Sequence, residues 1–276
     1  MSHVSADLGG LGSTRSSSLE VRLAQTLAEI EAAQRLRYEI FYKEMGAQPT
    51  PEMEAAARDF DDFDTVCDHL LVIDHNLPEE QSVVGTYRLI RREMAARRGG
   101  FYSANEFDLK QIIEYPGEIL ELGRACVAPA YRGRAINLLF RGISSYVSRY
   151  SIEVMFGCAS LPGIDPRQLA LPLSYLYYYH LAPPALRAVA LRERYVDMRR
   201  IAPHDIDPAT AMFEVPPLLK AYLRFGGFIG DGAVVDEQFG TTDVCIIVKT
   251  DMITDKYAKH YTALAREPAR TTGLDE

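Results

Sequence analysis

Apolar and polar residues first fall into register at Leu19-Glu-Val-Arg-Leu-Ala24, whose alternation has the period of a short strand. From Leu27 the spacing changes: Leu27, Ile30, Ala33, Leu36, Ile40 and Phe41 recur at helical intervals. Thr26 with Glu29 three residues on is the signature of a helix start, and Gly46 is a stop. Residues 49–58 read as a loop or short helix leading into the acidic run Asp59-Phe-Asp-Asp-Phe-Asp64. Two apolar strands follow, 68–74 and 82–90, and the polar, proline-containing loop between them predicts an antiparallel hairpin. Residues 91–100 form a basic connector, and a short helix is expected around 109–114.

The second half is organised around residues 118–150. An apolar strand over 118–127 meets a turn at Ala128-Pro-Ala130, and an amphipathic helix follows over 131–150. A further buried strand is expected at 153–161. A helix between two apolar strands is a crossover, so the two strands should be parallel neighbours. Gly157 inside the second one permits close approach of a ligand or backbone. Helices are then expected at 173–180 and 184–191, an excursion over 192–213, a helical turn at 218–225, and a glycine-rich hairpin over 230–248 with one buried strand. The fold class is therefore α/β: one domain over 19–255, a mixed, mostly antiparallel sheet flanked by helices, with a helical insertion near 165–225. Residues 1–18, rich in Ser and Gly, read as a disordered tail, and 256–276 as a loose one.

Composition narrows the function. The chain has 276 residues, 47% hydrophobic and 25% charged, as in an ordinary soluble globular protein. Its net charge of −8 argues against nucleic-acid binding, and a negatively charged partner would need a local basic patch. No stretch approaches about 18 apolar residues, so membrane contact would be peripheral. Cys67, Cys126, Cys158 and Cys245 are widely spaced without a CxxC pair, which reads as thiols of a reducing cytoplasm and no metal site. Cys126 has no nearby histidine to make it a nucleophile.

The order strand, small-residue turn, helix N-terminus is an anion-binding arrangement, because first-turn N–H groups lack internal partners and the helix dipole adds positive charge. Gly133 and Ala135 keep the approach clear, and Arg132 and Arg134 add formal charge. On these residues alone the unit reads equally as a strand–helix pair with two solvated arginines.

Four segments carry a resemblance. Arg37-Tyr-Glu-Ile-Phe41 with Glu44, the acidic run 59–64, Gly85-Thr-Tyr-Arg88 and Glu121-Leu-Gly-Arg124 resemble the helix signature, acidic segment, strand-borne arginine and E-x-x-R pair of acyl-homoserine-lactone synthases. The run Gly230-Asp-Gly-Ala-Val-Val-Asp-Glu-Gln-Phe-Gly-Thr-Thr-Asp243, with 121–127, instead resembles the bacterial ornithine Nα-acyltransferases, across roughly residues 20–255. That resemblance implies a GNAT-like acyltransferase fold. It also implies transfer of a 3-hydroxyacyl group from acyl carrier protein to the α-amine of L-ornithine, giving lyso-ornithine lipid. No bound cofactor is implied: the donor is a phosphopantetheine thioester. Val127, Arg132, Gly133, Arg134 and Ala135 would hold its phosphopantetheine, and the gap between strands 118–127 and 153–161 its arm. The location implied is cytoplasmic, with peripheral contact at the inner membrane.

Within that reading each side chain has an expected role. An ammonium must lose a proton before it attacks, and Glu121 is the candidate base; the alternative is an ion pair that fixes the strand. Residues 119, 121 and 123 share a strand face that Arg124 leaves unless a bulge intervenes, so a common cleft for Glu121 and Arg124 requires a bulge. Arg124 and Arg88, with backbone N–H groups near 125–127, are candidates for the developing oxyanion, and Arg88 also for the acceptor carboxylate. Arg37, Asp59, Asp62 and Asp64 are expected at the acceptor, the carboxylates (with Asp61) countering the δ-ammonium or forming merely a solvated loop. The acidic carrier would dock on Arg91, Arg92, Arg97, Arg98, Arg132, Arg134, Arg141 and Arg149. Phe101, Tyr102, Phe107, Phe156 and the tyrosines of 175–179 would line an acyl tunnel, or be plain core. The rival readings are an acyl-homoserine-lactone synthase using S-adenosylmethionine, and a non-catalytic GNAT-like module binding acyl carrier protein or a membrane.

Overall fold

A computed structural model describes residues 14–16 and 18–253, and their strands pair into a ten-stranded sheet. In chain order the strands are β1 (Thr14–Ser16), β2 (Leu19–Leu23), β3 (Asp68–Asp74), β4 (Val83–Arg91), β5 (Phe107–Asp108), β6 (Glu118–Val127), β7 (Ile152–Pro162), β8 (Val189–Ala190), β9 (Phe228–Asp236) and β10 (Thr241–Lys249). Their order across the sheet is β1-β2-β3-β4-β6-β7-β10-β9-β8-β5. Among the strands described, β6–β7 and β8–β9 are the parallel pairs. The helices are α1 (Leu27–Tyr38), α2 (Pro51–Ala56), α3 (Arg92–Arg98), α4 (Lys110–Ile113), α5 (Arg132–Arg149), α6 (Ala170–His180), α7 (Pro208–Glu214) and α8 (Pro217–Arg224).

The mixed, mostly antiparallel sheet with flanking helices is thus as expected, and so are the β3–β4 and β9–β10 hairpins and the β6–α5–β7 crossover. Thr26 caps α1, its hydroxyl accepting from the Glu29 N–H at 3.2 Å. After Tyr38 the helix widens into a π turn over Glu39–Glu44, where the Met45 N–H reaches Ile40 O at 2.9 Å. Gly46, with φ of 80°, ends the run.

Side chains of β3 and β4 sort by parity onto two faces. Val72, Tyr87 and Leu89 pack with Leu138, Leu139 and Phe140 of α5 on one face. Ile90 packs with Met94 and Ala95 of α3 and with Phe156 on the other, where α1 also lies against Leu71 and Ile73. The parallel strands β6 and β7 pair only from Glu118↔Ile152 to Glu121↔Phe156, then diverge. At the point of divergence Gly157 is required: a Cβ there would stand 2.2 Å from Leu122 O.

Three expectations change. Residues 184–191 are not a helix: after a single turn at Pro184–Leu186 the chain extends into β8, whose backbone is taken by β5 and β9. Residues 91–100 are the end of β4 and α3 rather than an open connector. Thr14–Ser16, placed in the disordered tail, pairs with β2; residues 1–13 and 256–276 lie outside the described residues. Among the described residues no helix is long and apolar enough to cross a membrane.

Candidate active site

Three arginines from three elements meet the acidic run on the α1 side of the sheet. Arg37, in the last turn of α1, is fully buried and spends its planar fork on two carboxylates. Its Nε donates to Asp59 Oδ2 at 2.7 Å, its two terminal nitrogens bind Asp64 at 2.9 and 2.7 Å, and Nη2 also donates to Asp59 O at 2.6 Å. Arg88 of β4 donates to Asp61 Oδ1 at 2.6 Å. Arg124 of β6 lies 3.4 Å from Asp59 and 3.5 Å from Asp61. Burial alone would raise the Asp59 and Asp64 carboxyls, but the guanidinium groups beside them hold both below the usual range.

Arg124 reaches this cluster because β6 is bulged. Thr86 pairs with Cys126 and Arg88 with Gly123, so Arg124 and Ala125 together oppose Tyr87. Arg124 has a left-handed backbone, φ 52°, which turns its side chain onto the face of Glu121. The bulge required for a common cleft is present. Glu121 and Arg124 do not pair with each other, however. Glu121, buried, accepts from the Tyr102 N–H at 2.8 Å and the Ser103 N–H at 2.6 Å, and so anchors the turn Tyr102–Asn105. Burial pushes its carboxyl above the ordinary value, against these hydrogen bonds and the charge of Arg88. Above Gly123 no atom other than those of its chain neighbours lies within 4 Å of where a Cβ would stand, and Gly123, Arg124 and Ala125 are partly exposed while 119–122 and 126–127 are buried. This opening, beside the divergence of β6 and β7, is flanked by Glu121 and Arg124.

The same turn brings Tyr102 over two cations, with the Arg124 guanidinium 4.8 Å and the Arg88 guanidinium 5.5 Å from its ring centre. The Nε atoms of Arg88 and Arg124 are buried without a hydrogen-bond acceptor among the described residues. Just beyond, Ser103 Oγ meets Cys158 Sγ of β7 at 3.3 Å, and Cys158 stands beside the buried carboxyls of Glu106 and Asp243. Burial raises both, with repulsion from Asp243 adding at Glu106 and repulsion from Asp236 adding at Asp243.

Other expected residues sort as follows. Asp59 and Asp64 are at the cluster but already neutralised by Arg37, whereas Asp62 is exposed and pairs with Arg98 outside it. Asp61, which bridges Arg88 and Arg124, holds the more central place. On α5, Arg132, Gly133 and Arg134 are exposed in the first turn, Ala135 is buried, and no side chain caps that helix end. Arg132 pairs with Glu44, and Val127 is paired with Gly85. The arginines expected to form one docking surface do not. Arg97 and Arg98 stand on α3, across the sheet from α5, and Arg132 to Arg149 spans about 25 Å of helix. Arg141 is half-buried on α5. Arg91 stacks 3.9 Å from the Tyr150 ring centre, and Arg92 is spent on the carbonyls of Ile113, Tyr115 and Gly117.

Phe101, Phe107 and Phe156 are buried core, the first and last edge-to-face at 5.0 Å, and of the later tyrosines Tyr178 and Tyr179 are exposed. The Cys126 thiol is buried and pushed up to about 12, which disfavours the thiolate a nucleophile needs. Glu106 was not legible as a site residue. The signal for Asp243 was present, since it is a lone carboxylate in the apolar run of β10.

The profile of the acetyltransferase (GNAT) domain matches residues 36–141, which include Arg37, the acidic run, Arg88 and the bulged strand. An L-ornithine N(alpha)-acyltransferase of Brucella abortus (strain 2308) is 48% identical over 256 residues, 91% of this chain and 91% of that one. The L-ornithine N(alpha)-acyltransferase of Rhizobium meliloti (strain 1021) is 44% identical over 254 residues, 90% of this chain and 86% of the relative. Among solved structures, the CoA-dependent acyl-homoserine lactone synthase MesI aligns with a TM-score of 0.46 at 13% identity, covering 90% of this chain and 97% of that one. FeeM, an N-acyl amino acid synthase from uncultured soil microbes, aligns with a TM-score of 0.44 at 9% identity, covering 84% and 91%. With the curated relatives alike along nine-tenths of its length, the chain belongs to the L-ornithine Nα-acyltransferase family of GNAT-domain proteins.

Proposed function

We propose that the protein transfers a 3-hydroxyacyl group from acyl carrier protein to the α-amine of L-ornithine, giving lyso-ornithine lipid. The observation that carries this reading is the opening at Gly123, where β6 and β7 part beside Glu121 and Arg124, in a chain 48% identical to an L-ornithine N(alpha)-acyltransferase. Glu121, its carboxyl raised by burial, takes the proton of the α-ammonium directly or through a water. The freed nitrogen attacks the thioester carbonyl, a C–N bond forms, the C–S bond breaks, and the thiol leaves on the carrier's phosphopantetheine. The free edge of β6 over 122–127 takes the pantetheine arm, and its N–H groups near 125–127 face the developing oxyanion. Exposed first-turn N–H groups of α5, with Arg132, Gly133 and Arg134, take the phosphate. Arg88, whose Nε–H has no hydrogen-bond acceptor among the described residues, takes the acceptor carboxylate together with Arg124. The carrier docks at the α5 N-terminus, and an amphiphilic product suits a cytoplasmic enzyme in peripheral contact with the inner membrane.

The test is an assay of the purified protein with 3-hydroxyacyl carrier protein and a panel of amino acids, with product mass read directly. An acylated ornithine is expected. A lactone formed from S-adenosylmethionine, or no transfer to any amino acid, would overturn the reading.

A further inference from the structure

We propose that Glu106 and Asp243 form a binding site for a primary ammonium, the δ-ammonium of the diamino-acid acceptor. The proposal rests on the reading of the protein as an ornithine acyltransferase.

The acidic run does not offer an ammonium a free charge. Its carboxylates Asp59, Asp61 and Asp64 face Arg37, Arg88 and Arg124, one guanidinium for each carboxylate. Glu106 and Asp243 are in the opposite situation. They are 3% and 5% exposed, and neither forms an ion pair among the described residues. A carboxylate oxygen of each lies within 4.8 Å of the other and of Cys158 Sγ. Glu106 Oε2 is buried without a hydrogen-bond partner. The nearest cations are committed elsewhere. Arg194 donates to Asn105 O and Val235 O, both at 3.1 Å, and Arg124 lies against Asp59 and Asp61. As carboxylates, two buried acids with no cation are costly, so they hold a proton between them or take up a cation. An alkylammonium, with three N–H donors in a compact head, suits two converging carboxylates.

The site also has the right neighbour. Ser103 donates its N–H to Glu121 at 2.6 Å and meets Cys158 with its hydroxyl at 3.3 Å, so Ser103 and Cys158 together link the proposed base to the acidic pair. Cys158 is half-buried on β7, just past Phe156, where β6 and β7 part. An acceptor whose α-amine stands at Glu121 would direct its short methylene arm toward Glu106 and Asp243.

The experiment compares ornithine with norvaline, which has the same five-carbon skeleton without the side-chain ammonium, in the wild type, Glu106→Gln and Asp243→Asn. In either variant kcat/KM for ornithine is expected to fall roughly thirtyfold, mostly through KM, while norvaline is unaffected. Ornithine is also expected to raise the melting temperature of the wild type and not of the variants. The two substitutions lie on separate elements, and either folded variant is sufficient. Variants that keep the wild-type ornithine-to-norvaline ratio, with an active wild type, overturn this site alone. Loss of wild-type activity to a chelator with rescue by zinc would assign the pair to a metal and overturn it as well. A wild type that acylates no amino acid overturns the proposed function and this site together.

Discussion

The Arg124 guanidinium lies 3.4 Å from the Asp59 carboxylate because its own backbone is left-handed, with φ of 52°. A left-handed conformation costs a residue with a Cβ about 1–3 kcal/mol, and glycine almost nothing. Arg124→Gly should therefore be more stable than Arg124→Ala by about 1 kcal/mol, although both lose the same ion pairs. Both should lose most of their activity through a raised KM for the acceptor. Urea denaturation and steady-state kinetics check this; equal stability of the two variants would mean that the bulge relaxes when the arginine is gone.

Arg37 is a different kind of arginine. Fully buried and bound to Asp59 and Asp64, it leaves two carboxylates partly uncompensated when removed. Arg37→Met should destabilise the protein by about 3–5 kcal/mol. Its activity per folded molecule should fall as well, because Asp59 and Asp61 position Arg124 and Arg88. A loss under about 1 kcal/mol would show that water replaces the guanidinium at little cost.

These two arginines mark the limit of what the chain discloses before it folds. Helix α1, the β3–β4 hairpin and the β6–α5–β7 crossover were legible because their signals are local: a capping threonine, strand alternation, an amphipathic helix between apolar runs. The acidic run was legible as composition, but not which carboxylate meets which arginine, since Arg37, Arg88 and Arg124 arrive from three elements. Residues 184–191 read as a helix from their Ala and Leu content, yet β5 and β9 claim their backbone. Docking arginines were visible as charge, and only the sheet between them separates α3 from α5.

Glu121, the proposed base, also holds the 102–105 turn, and one substitution tests both roles. Glu121→Gln keeps the shape but removes the base, so kcat should fall about a hundredfold or more and the acidic limb of the pH–rate profile should change. Because Tyr102 N–H and Ser103 N–H both donate to this carboxylate, a stability loss of about 1–3 kcal/mol is also expected. Loss of stability with full activity per folded molecule would leave Glu121 as a clamp for the 102–105 turn only.

Stability should depend on pH with opposite signs in two regions. Glu106 and Asp243 have folded-state values above the ordinary carboxylate range, raised by burial and repulsion, with Asp236, Arg194, Arg124 and Cys158 also facing them. The folded chain thus holds more protons than the unfolded one, and stability falls as pH rises through the raised values. Asp59 and Asp64 are depressed, so their contribution is present above the ordinary range and is lost as pH falls through the depressed values. The urea midpoint should be higher at about pH 5 than at about pH 8, and Glu106→Gln should flatten that difference. A wild-type midpoint that rises over this interval would contradict the buried pair.

Strand β10, the last of the described fold, lies between β7 and β9. During synthesis Arg37, Arg88, Glu121, Arg124 and all of β7 leave the ribosome before it. Until β10 arrives, β7 presents an unpaired edge on that side and Asp243 is missing from beside Cys158. Insertion of β10 closes that edge and delivers the carboxylate in one event. Maturation of the enzyme is therefore tied to completion of the sheet: a nascent or truncated chain would have an exposed strand edge to aggregate through, and would lack Asp243 of the proposed acceptor site.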